Sequence, residues 1–161
     1  MNNRELFQGY AISGIDAKGR VAIPASLRGT IEANGDGRVV TVALHEVSPC
    51  LIGYDQGWAQ LLREELREDE ASERASGNSF DRHNAKRRAF GPVEKVPYDA
   101  SGRFIFPGFL GHKAKLADTA FFYGTGDTFE IWSPQVLLSA PDVDAEMKEI
   151  CEWLLSQRGV K

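Results

Sequence analysis

Short apolar runs that alternate with polar positions predict a chain built mainly of β-strands. Over residues 10–15 and 20–23 the alternation is strict, with Val21 and Ile23 facing one side and Arg20 and Ala22 the other. Runs rich in β-branched and aromatic residues predict six further strands, over residues 39–44, 51–54, 93–96, 103–106, 120–123 and 129–132.

Helical patterns are predicted between and after these strands. Asp55 is a suitable N-cap for a helix over residues 56–67, whose apolar face would hold Trp58, Leu61, Leu62 and Leu66. One helical turn fits residues 25–30, and the polar segment 68–84 is expected to be a junction. Near the C-terminus, Ser133-Pro134 begins a helix that Ala140-Pro141 ends, and Asp142 or Asp144 begins a last helix with Met147, Ile150, Cys151 and Leu154 on one face.

A tight-turn sequence occurs twice, as Asp16-Ala17-Lys18-Gly19-Arg20 and as Asp99-Ala100-Ser101-Gly102-Arg103. Gly19 and Gly102 supply a position with φ > 0, while Asp16 and Asp99 can accept hydrogen bonds from the backbone two residues on. An offset of 83 applied to residues 7–28 gives seven identities in 22 positions, where ordinary residue frequencies give roughly one or two. The chain therefore carries one structural unit twice.

The repeat divides the chain into four parts. Residues 51–55 match residues 129–133 at an offset of 78, so the first copy has five extra residues (83 − 78), most simply placed in the loop Asn34-Gly35-Asp36-Gly37. We expect a first copy over 7–54, a helix and polar junction over 55–89, a second copy over 90–133 and C-terminal helices over 134–161.

Composition and charge exclude several classes of protein. No apolar run approaches the roughly 20 residues of a membrane helix, and the N-terminal sequence has no apolar signal region, so we expect a cytoplasmic protein without a membrane partner. Cys50 and Cys151 are expected to be reduced core residues. The net charge of −4 arises mainly from acidic segments at 63–74 and 142–152, whereas residues 1–28 carry four bases against two acids. A locally basic surface is therefore compatible with an acidic total.

No pattern in the sequence indicates catalysis. His45, His83 and His112 are scattered, and no pair has the spacing of metal ligands. The glycine-containing segments lack a nucleotide-binding fingerprint, and no serine or cysteine lies in a nucleophile-elbow pattern. We therefore predict a protein that is not an enzyme and that has no catalytic residue, metal or cofactor.

The two turns and their flanking sequences resemble the MraZ family of bacterial transcriptional regulators, a two-copy form of the AbrB/SpoVT-type swapped-hairpin β-barrel. The resemblance rests on the segments Phe7-Gln8-Gly9, Ile15 to Ala25, Arg87 to Phe90, Asp99 to Arg103 and Gly124 to Trp132. It implies a pseudo-symmetric α+β fold. It also implies a repressor that binds double-stranded DNA at tandem repeats upstream of the division and cell-wall genes, including its own promoter, and that forms rings of identical subunits on the nucleoid.

The resemblance also implies which residues contact DNA. The family's Asp-x-x-x-Arg turns face DNA, which gives Lys18, Arg20 and Arg103 as contacts and Arg28 from the basic segment that follows the first turn. The residues Asp16, Gly19, Asp99 and Gly102 would orient the turns. Ser101 stands where the first copy has Lys18, and Arg28 has no counterpart in Gly108-Phe109-Leu110-Gly111, so the second turn is expected to bind phosphate less well.

Three alternatives remain open at the level of sequence. The Asp/Arg turns could be structural, in a non-catalytic oligomeric scaffold. A toxin-neutralising partner of the AbrB type would need a disordered tail, against which the predicted C-terminal helix argues. The basic cluster Arg82, Lys86, Arg87 and Arg88 is either a solvated helix face or an additional DNA contact.

Overall fold

The computed structural model describes residues 3–35 and 37–159. Its elements, in chain order, are β1 Tyr10–Gly14, β2 Arg20–Ala22, α1 Ala25–Asn34, β3 Val39–Leu44, β4 Leu51–Tyr54, α2 Gln56–Ala75, α3 Arg82–Phe90, β5 Val93–Pro97, β6 Arg103–Ile105, α4 Gly108–Lys113, β7 Thr119–Gly124, β8 Phe129–Trp132, α5 Pro134–Ser139 and α6 Ala145–Gly159. The predicted strands are present, and their ends agree with the prediction to within one residue.

Exchange of strands between the two copies defines the topology. The six-stranded antiparallel sheet has the order β1-β7-β8-β4-β3-β5, and β2 and β6 form a separate two-stranded ribbon. β1 of the first copy pairs with β7 of the second, and β5 of the second pairs with β3 of the first. In the repeat, β1 corresponds to β5, β3 to β7 and β4 to β8. When each strand is exchanged for its counterpart, the strand order read from one edge becomes the order read from the other edge. The predicted α+β fold with two interlocked copies is therefore confirmed.

Strand register shows where the extra residues of the first copy lie. The pairs Tyr10–Tyr123 and Val93–Ala43 are equivalent, so the offset is 83 between β1 and β5 (93 − 10) and 80 between β3 and β7 (123 − 43). Between β4 and β8 the equivalent pairs Leu51–Ile131 and Gly53–Phe129 restore the offset of 78. Three extra residues therefore precede β3, and two lie in the β3–β4 loop. Placing all five around residues 34–37 was wrong, and Asp36 of that loop lies outside the described residues.

One apolar core lies between the sheet and the ribbon. The alternation in the ribbon buries Val21 and Phe104, while the sheet contributes Val42, Phe122 and Ile131. Ring contacts add to this packing, since the Phe7 and Phe129 centroids are 5.1 Å apart. The ribbon is thus held by one face, and its other face is directed outward.

Two helices are longer than the sequence suggested, and α3 and α4 were not among the predicted helices. α1 has ten residues instead of one turn, and α2 continues to Ala75 instead of ending at Arg67. Of the segment 68–84 that we expected to be a junction, the first part up to Ala75 continues α2, because it consists largely of good helix formers and carries the ion pair Glu70–Arg74, while only residues 76–81 are non-helical. The prediction missed α4, whose two glycines disfavour a helix, although burial of Leu110 stabilises it.

The C-terminal helices pack on the part of the sheet that holds β1 and β7. α5 follows Ser133, and α6 begins after Asp144, whose Oδ2 accepts a hydrogen bond from the Met147 N–H (2.9 Å). Cys50 and Cys151 are free, and both are buried in the cluster that these helices form with Trp132. Within the described part of the chain, no helix combines the length and the apolar character needed to cross a membrane.

Candidate nucleic-acid interface

The β2–β6 ribbon places both predicted arginines on one face. Arg20 pairs with Ile105, and Ala22 pairs with Arg103, in antiparallel register. Directly opposed residues and residues two apart on a strand share a face of a ribbon, so Arg20, Ala22, Arg103 and Ile105 lie together. Val21 and Phe104 occupy the opposite face, which is buried. Burial of one face therefore forces both arginines outward.

In the first turn, Asp16 organises both the backbone and Arg20. The Gly19 N–H donates to the Asp16 carbonyl (2.9 Å), and Gly19 has φ +82°. Oδ1 of Asp16 accepts from the Lys18 and Arg20 N–H groups (3.0 and 2.8 Å), while Oδ2 accepts from the Arg20 Nε (2.8 Å). Because the carboxylate holds only Nε, both terminal guanidinium nitrogens of Arg20 lack a hydrogen-bond partner within residues 3–35 and 37–159. The turn aims a donor fork outward.

The second turn repeats this geometry. Oδ1 of Asp99 accepts from the Ser101 and Arg103 N–H groups (2.9 and 3.0 Å), Oδ2 accepts from the Arg103 Nε (2.9 Å), and Gly102 has φ +83°. The backbone N–H of Arg103 is the main cause that lowers the pKa of Asp99, as that of Arg20 is for Asp16, with the side-chain bonds adding to it. Both aspartates therefore stay ionised at neutral pH.

Arg28 lies beside the second turn, not the first. Its Nε donates to the Ile23 carbonyl (3.0 Å), and its Nη1 donates to the Ala100 carbonyl (3.2 Å). A Cβ on Gly102 would lie 2.5 Å from the Arg28 Cδ, so the absence of a side chain there makes room for the guanidinium. The first copy thus supplies a cation to the turn of the second copy.

The structure gives the two turns equal charge. Lys18 is exposed in the first turn, and Arg28 accompanies the second, where Ser101 replaces the lysine. Each turn then has one aspartate, one arginine from the ribbon and one further cation. The repeat pairs Lys18 with Ser101 and therefore predicts one cation fewer at the second turn. It does not show that Arg28 of α1 reaches the turn of the other copy.

The basic cluster on α3 is separate from the ribbon. Arg82, Lys86, Arg87 and Arg88 are exposed on a helix that packs beside α2. Arg82 lies 4.0 Å from Glu70 of α2, and Arg87 donates to Asn84 (2.9 Å). Both contacts are intramolecular, and the two alternatives for this cluster stay predictions.

Sequence reasoning missed a polar cluster formed by His45, Cys50 and Glu130, whose ligand-type atoms lie within 4.8 Å of one another. The His45 Nδ1 accepts the Val47 and Ser48 N–H groups (3.0 and 2.9 Å), which places the ring proton on Nε2, 3.1 Å from Glu130. Neither ring nitrogen then offers a lone pair to a metal. The cluster instead joins the β3–β4 loop of one copy to β8 of the other.

Fold and site together define a class: an α+β protein of two interlocked copies, with a duplicated Asp/Arg turn on one exposed ribbon. A family model described as "MraZ protein, putative antitoxin-like" matches residues 6–79. The transcriptional regulator MraZ of Hydrogenovibrio crunogenus is 33% identical over 155 residues, 93% of this chain and 96% of that protein. The proteins of the same name from Yersinia pestis and Yersinia pseudotuberculosis are each 28% identical over 154 residues, 95% of this chain and 96% of theirs. The chain belongs to the MraZ family of transcriptional regulators.

Proposed function

We propose that this chain is a sequence-specific DNA-binding repressor whose contact surface is the outward face of the β2–β6 ribbon with its two turns. The observation that carries the proposal is the placement of Arg20 and Arg103 on one face, each anchored through Nε to an aspartate. A two-stranded ribbon fits the major groove of B-DNA, and a guanidinium fork can pair with both acceptors of a guanine. Binding, not catalysis, is the activity.

Roles within this surface follow from the free atoms. Arg20 and Arg103 keep two terminal nitrogens each for a base or a phosphate, whereas Arg28 has used Nε and Nη1 and keeps Nη2. Lys18 serves as a mobile phosphate contact. Asp16 and Asp99 orient the arginines and do not touch anionic DNA.

The targets that we propose are tandem repeats upstream of the division and cell-wall genes, including the protein's own promoter, read in the cytoplasm on the nucleoid. A ring of identical subunits would place several ribbons on successive repeats. Each ribbon presents only four cations, so linked weak sites account for tight binding better than one ribbon does. A variant shown by sedimentation to be monomeric should lose affinity steeply, and full retention of affinity would contradict the avidity mechanism.

Fluorescence anisotropy with a duplex from the protein's own upstream region tests the proposal. Wild type should prefer this duplex to a scrambled one by about a thousandfold or more. Arg20→Ala and Arg103→Ala should each weaken specific binding by about 1 to 3 kcal/mol, which is roughly 5- to 150-fold. Arg67→Ala is the matched control, because Arg67 is exposed on α2 and pairs only with Glu64 among the described residues.

The rival function, an oligomeric scaffold with structural turns, gives a different result. A scaffold would show no preference for the native duplex and no steep salt dependence, since only phosphate contacts release counterions. Selective binding that survives both arginine substitutions in a folded protein would place the DNA contact elsewhere on the molecule.

A further inference from the structure

A cavity of about 270 Å³ lies between the sheet, α2 and α3. Its walls are apolar and come from three elements: Ala43, Ile52 and Tyr54 of the sheet, Leu62 and Leu66 of α2, and Ala85 and Ala89 of α3. None of its lining residues belongs to the ribbon or to the two turns. The proposed DNA contact therefore leaves this space unexplained.

Small side chains on α3 create the cavity. Ala85 and Ala89 are one helical turn apart and face the sheet and α2, and no larger apolar residue of α3 reaches the same space. Packing in protein interiors is normally close, so an apolar space of this size forfeits many dispersion contacts. A flat apolar group bound there would restore them.

The rim of the cavity is mainly acidic. It carries the carboxylates of Glu46, Glu65 and Asp69 against one guanidinium, that of Arg88. No ion pair within 4.0 Å joins any of these three carboxylates to another of the residues described. The fifth polar group at the rim, His45, has both ring nitrogens engaged by Glu130 and by two backbone N–H groups.

The carboxylates repel one another. Partial burial and then the nearby charge of Asp69 raise the pKa of Glu65. A bound cation would remove this repulsion, whereas a bound anion would add to it.

We infer that this cavity is a binding site for a small organic cation with a flat apolar body, such as an aromatic amine. The ring would lie against Tyr54, Leu62 and Ala89, and the ammonium group would lie at Glu65 and Asp69. The inference is independent of DNA binding, because the two sites share no residue.

Three probes with the same ring test the inference: tryptamine, indole-3-propionate and 3-ethylindole. Titration of the full chain by isothermal calorimetry should give tryptamine a Kd at least tenfold lower than that of indole-3-propionate, with neutral 3-ethylindole between them. Glu65→Gln combined with Asp69→Asn should remove this preference. Glu149→Gln combined with Glu152→Gln is the control, since it removes the same charge at exposed positions of α6 that do not line the cavity.

Filling the cavity is a second test. Ala89→Leu should abolish tryptamine binding, whereas Ala71→Leu at an exposed position of α2 should leave it unchanged, with far-UV circular dichroism confirming that both are folded. If Ala89→Leu does not fold, the double variant Glu65→Gln with Asp69→Asn still tests the inference. The inference is overturned by an absence of tryptamine binding, by equal affinity for the three probes, or by binding that persists in Ala89→Leu. A change of oligomer mass in Ala89→Leu without tryptamine binding would assign the cavity to a neighbouring copy and would also overturn it.

Discussion

At the scale of single residues, Asp16 and Asp99 do two things with one carboxylate. Oδ1 fixes the turn through backbone N–H groups, and Oδ2 holds the neighbouring arginine by Nε. These ion pairs are half exposed, with 41% of both Asp16 and Arg20 side chains accessible, so they add little to stability. Their value is geometric, because they hold the guanidinium fork in one orientation, as the proposed DNA contact requires.

We predict that the pKa of Asp16 lies below the ordinary value of about 3.9 and rises only in part in Arg20→Ala. The Arg20 backbone N–H is the largest cause of the lowered pKa and survives the substitution. NMR titration of the carboxyl carbon measures this, and Arg103→Ala is the control that should leave Asp16 unchanged. A return of the pKa to the ordinary value in Arg20→Ala would show that the side chain dominates.

The sign of the pH dependence follows from the same shift. Because folding lowers the pKa values of Asp16 and Asp99, their contribution to stability is present above the unfolded-state pKa of about 4 and is lost as the pH falls through the lower folded-state value. The free energy of unfolding can be measured with urea at pH 6 and at pH 3. Between these two pH values it should fall less in the double variant Asp16→Asn with Asp99→Asn than in wild type.

Alanine substitutions at Gly19 and Gly102 separate the cost of backbone strain from the cost of steric crowding. Both have φ near +82°, so alanine at either position should cost about 1 to 2 kcal/mol. A Cβ at Gly102 also meets the Arg28 Cδ at 2.5 Å and the Ile23 carbonyl at 3.0 Å, whereas at Gly19 the nearest atom is Ile105 Cγ2 at 3.8 Å. Gly102→Ala should therefore cost about 1 kcal/mol more.

Urea unfolding measures this difference, and an Arg28→Ala background tests its cause. The excess cost of Gly102→Ala should shrink when Arg28 is already truncated. An equal cost at the two glycines in wild type would mean that Arg28 does not occupy the space beside the second turn.

At the scale of elements, much of the β-structure could be predicted from the sequence. Alternation around Val21 and the recurrence of the Asp/Arg turn locate the strands, and their duplication predicts the pseudo-symmetry. The repeat also indicates α4, because the offset of 83 places Ala25, where α1 begins, on Gly108, where α4 begins. The lengths of α1 and α2 could not be predicted, because helix ends there depend on tertiary contacts and on charged pairs rather than on an apolar stripe.

Asp55 connects the N-terminal segment, α1 and α2. Of the helix N-caps, it is the one whose removal we expect to lower the free energy of unfolding most. It is fully buried, its Oδ1 caps α2 through the Trp58 N–H (2.9 Å), and it forms a two-pronged ion pair with Arg4 (2.8 and 2.7 Å). Asn34 at the end of α1 donates to the same carboxylate (3.2 Å). The segment that precedes β1, the end of α1 and the start of α2 therefore meet at one buried carboxylate.

We predict that Asp55→Ala lowers the free energy of unfolding by about 3 to 5 kcal/mol, because it leaves the Arg4 guanidinium partly buried and unpaired. Asp81→Ala is the matched control. It removes an exposed N-cap, that of α3, and should cost less than Asp55→Ala because it leaves no buried charge unpaired. Equal costs in urea unfolding would show that Asp55 acts only as a cap.

At the scale of the whole molecule, strand exchange brings cations from both copies to one ribbon. The turns lie at opposite ends of an antiparallel ribbon, and Arg28 crosses between copies to equalise them. The total charge of −4 coexists with this surface because the acids are concentrated elsewhere, on α2 and α6. The sequence showed the uneven charge distribution but not the crossing, which depends on how α1 packs beside the second turn.

The most direct measurement is the salt dependence of DNA binding for two double variants, Lys18→Ala with Arg20→Ala and Arg28→Ala with Arg103→Ala. Each phosphate contact contributes about 0.9 to the slope of log K against log salt. We predict that the two variants lose similar slope, up to about 1.8 each, while remaining folded and assembled. Loss in the first variant alone would restrict the contact to the first turn. No loss in either would contradict the assignment of the ribbon face as the DNA-binding surface.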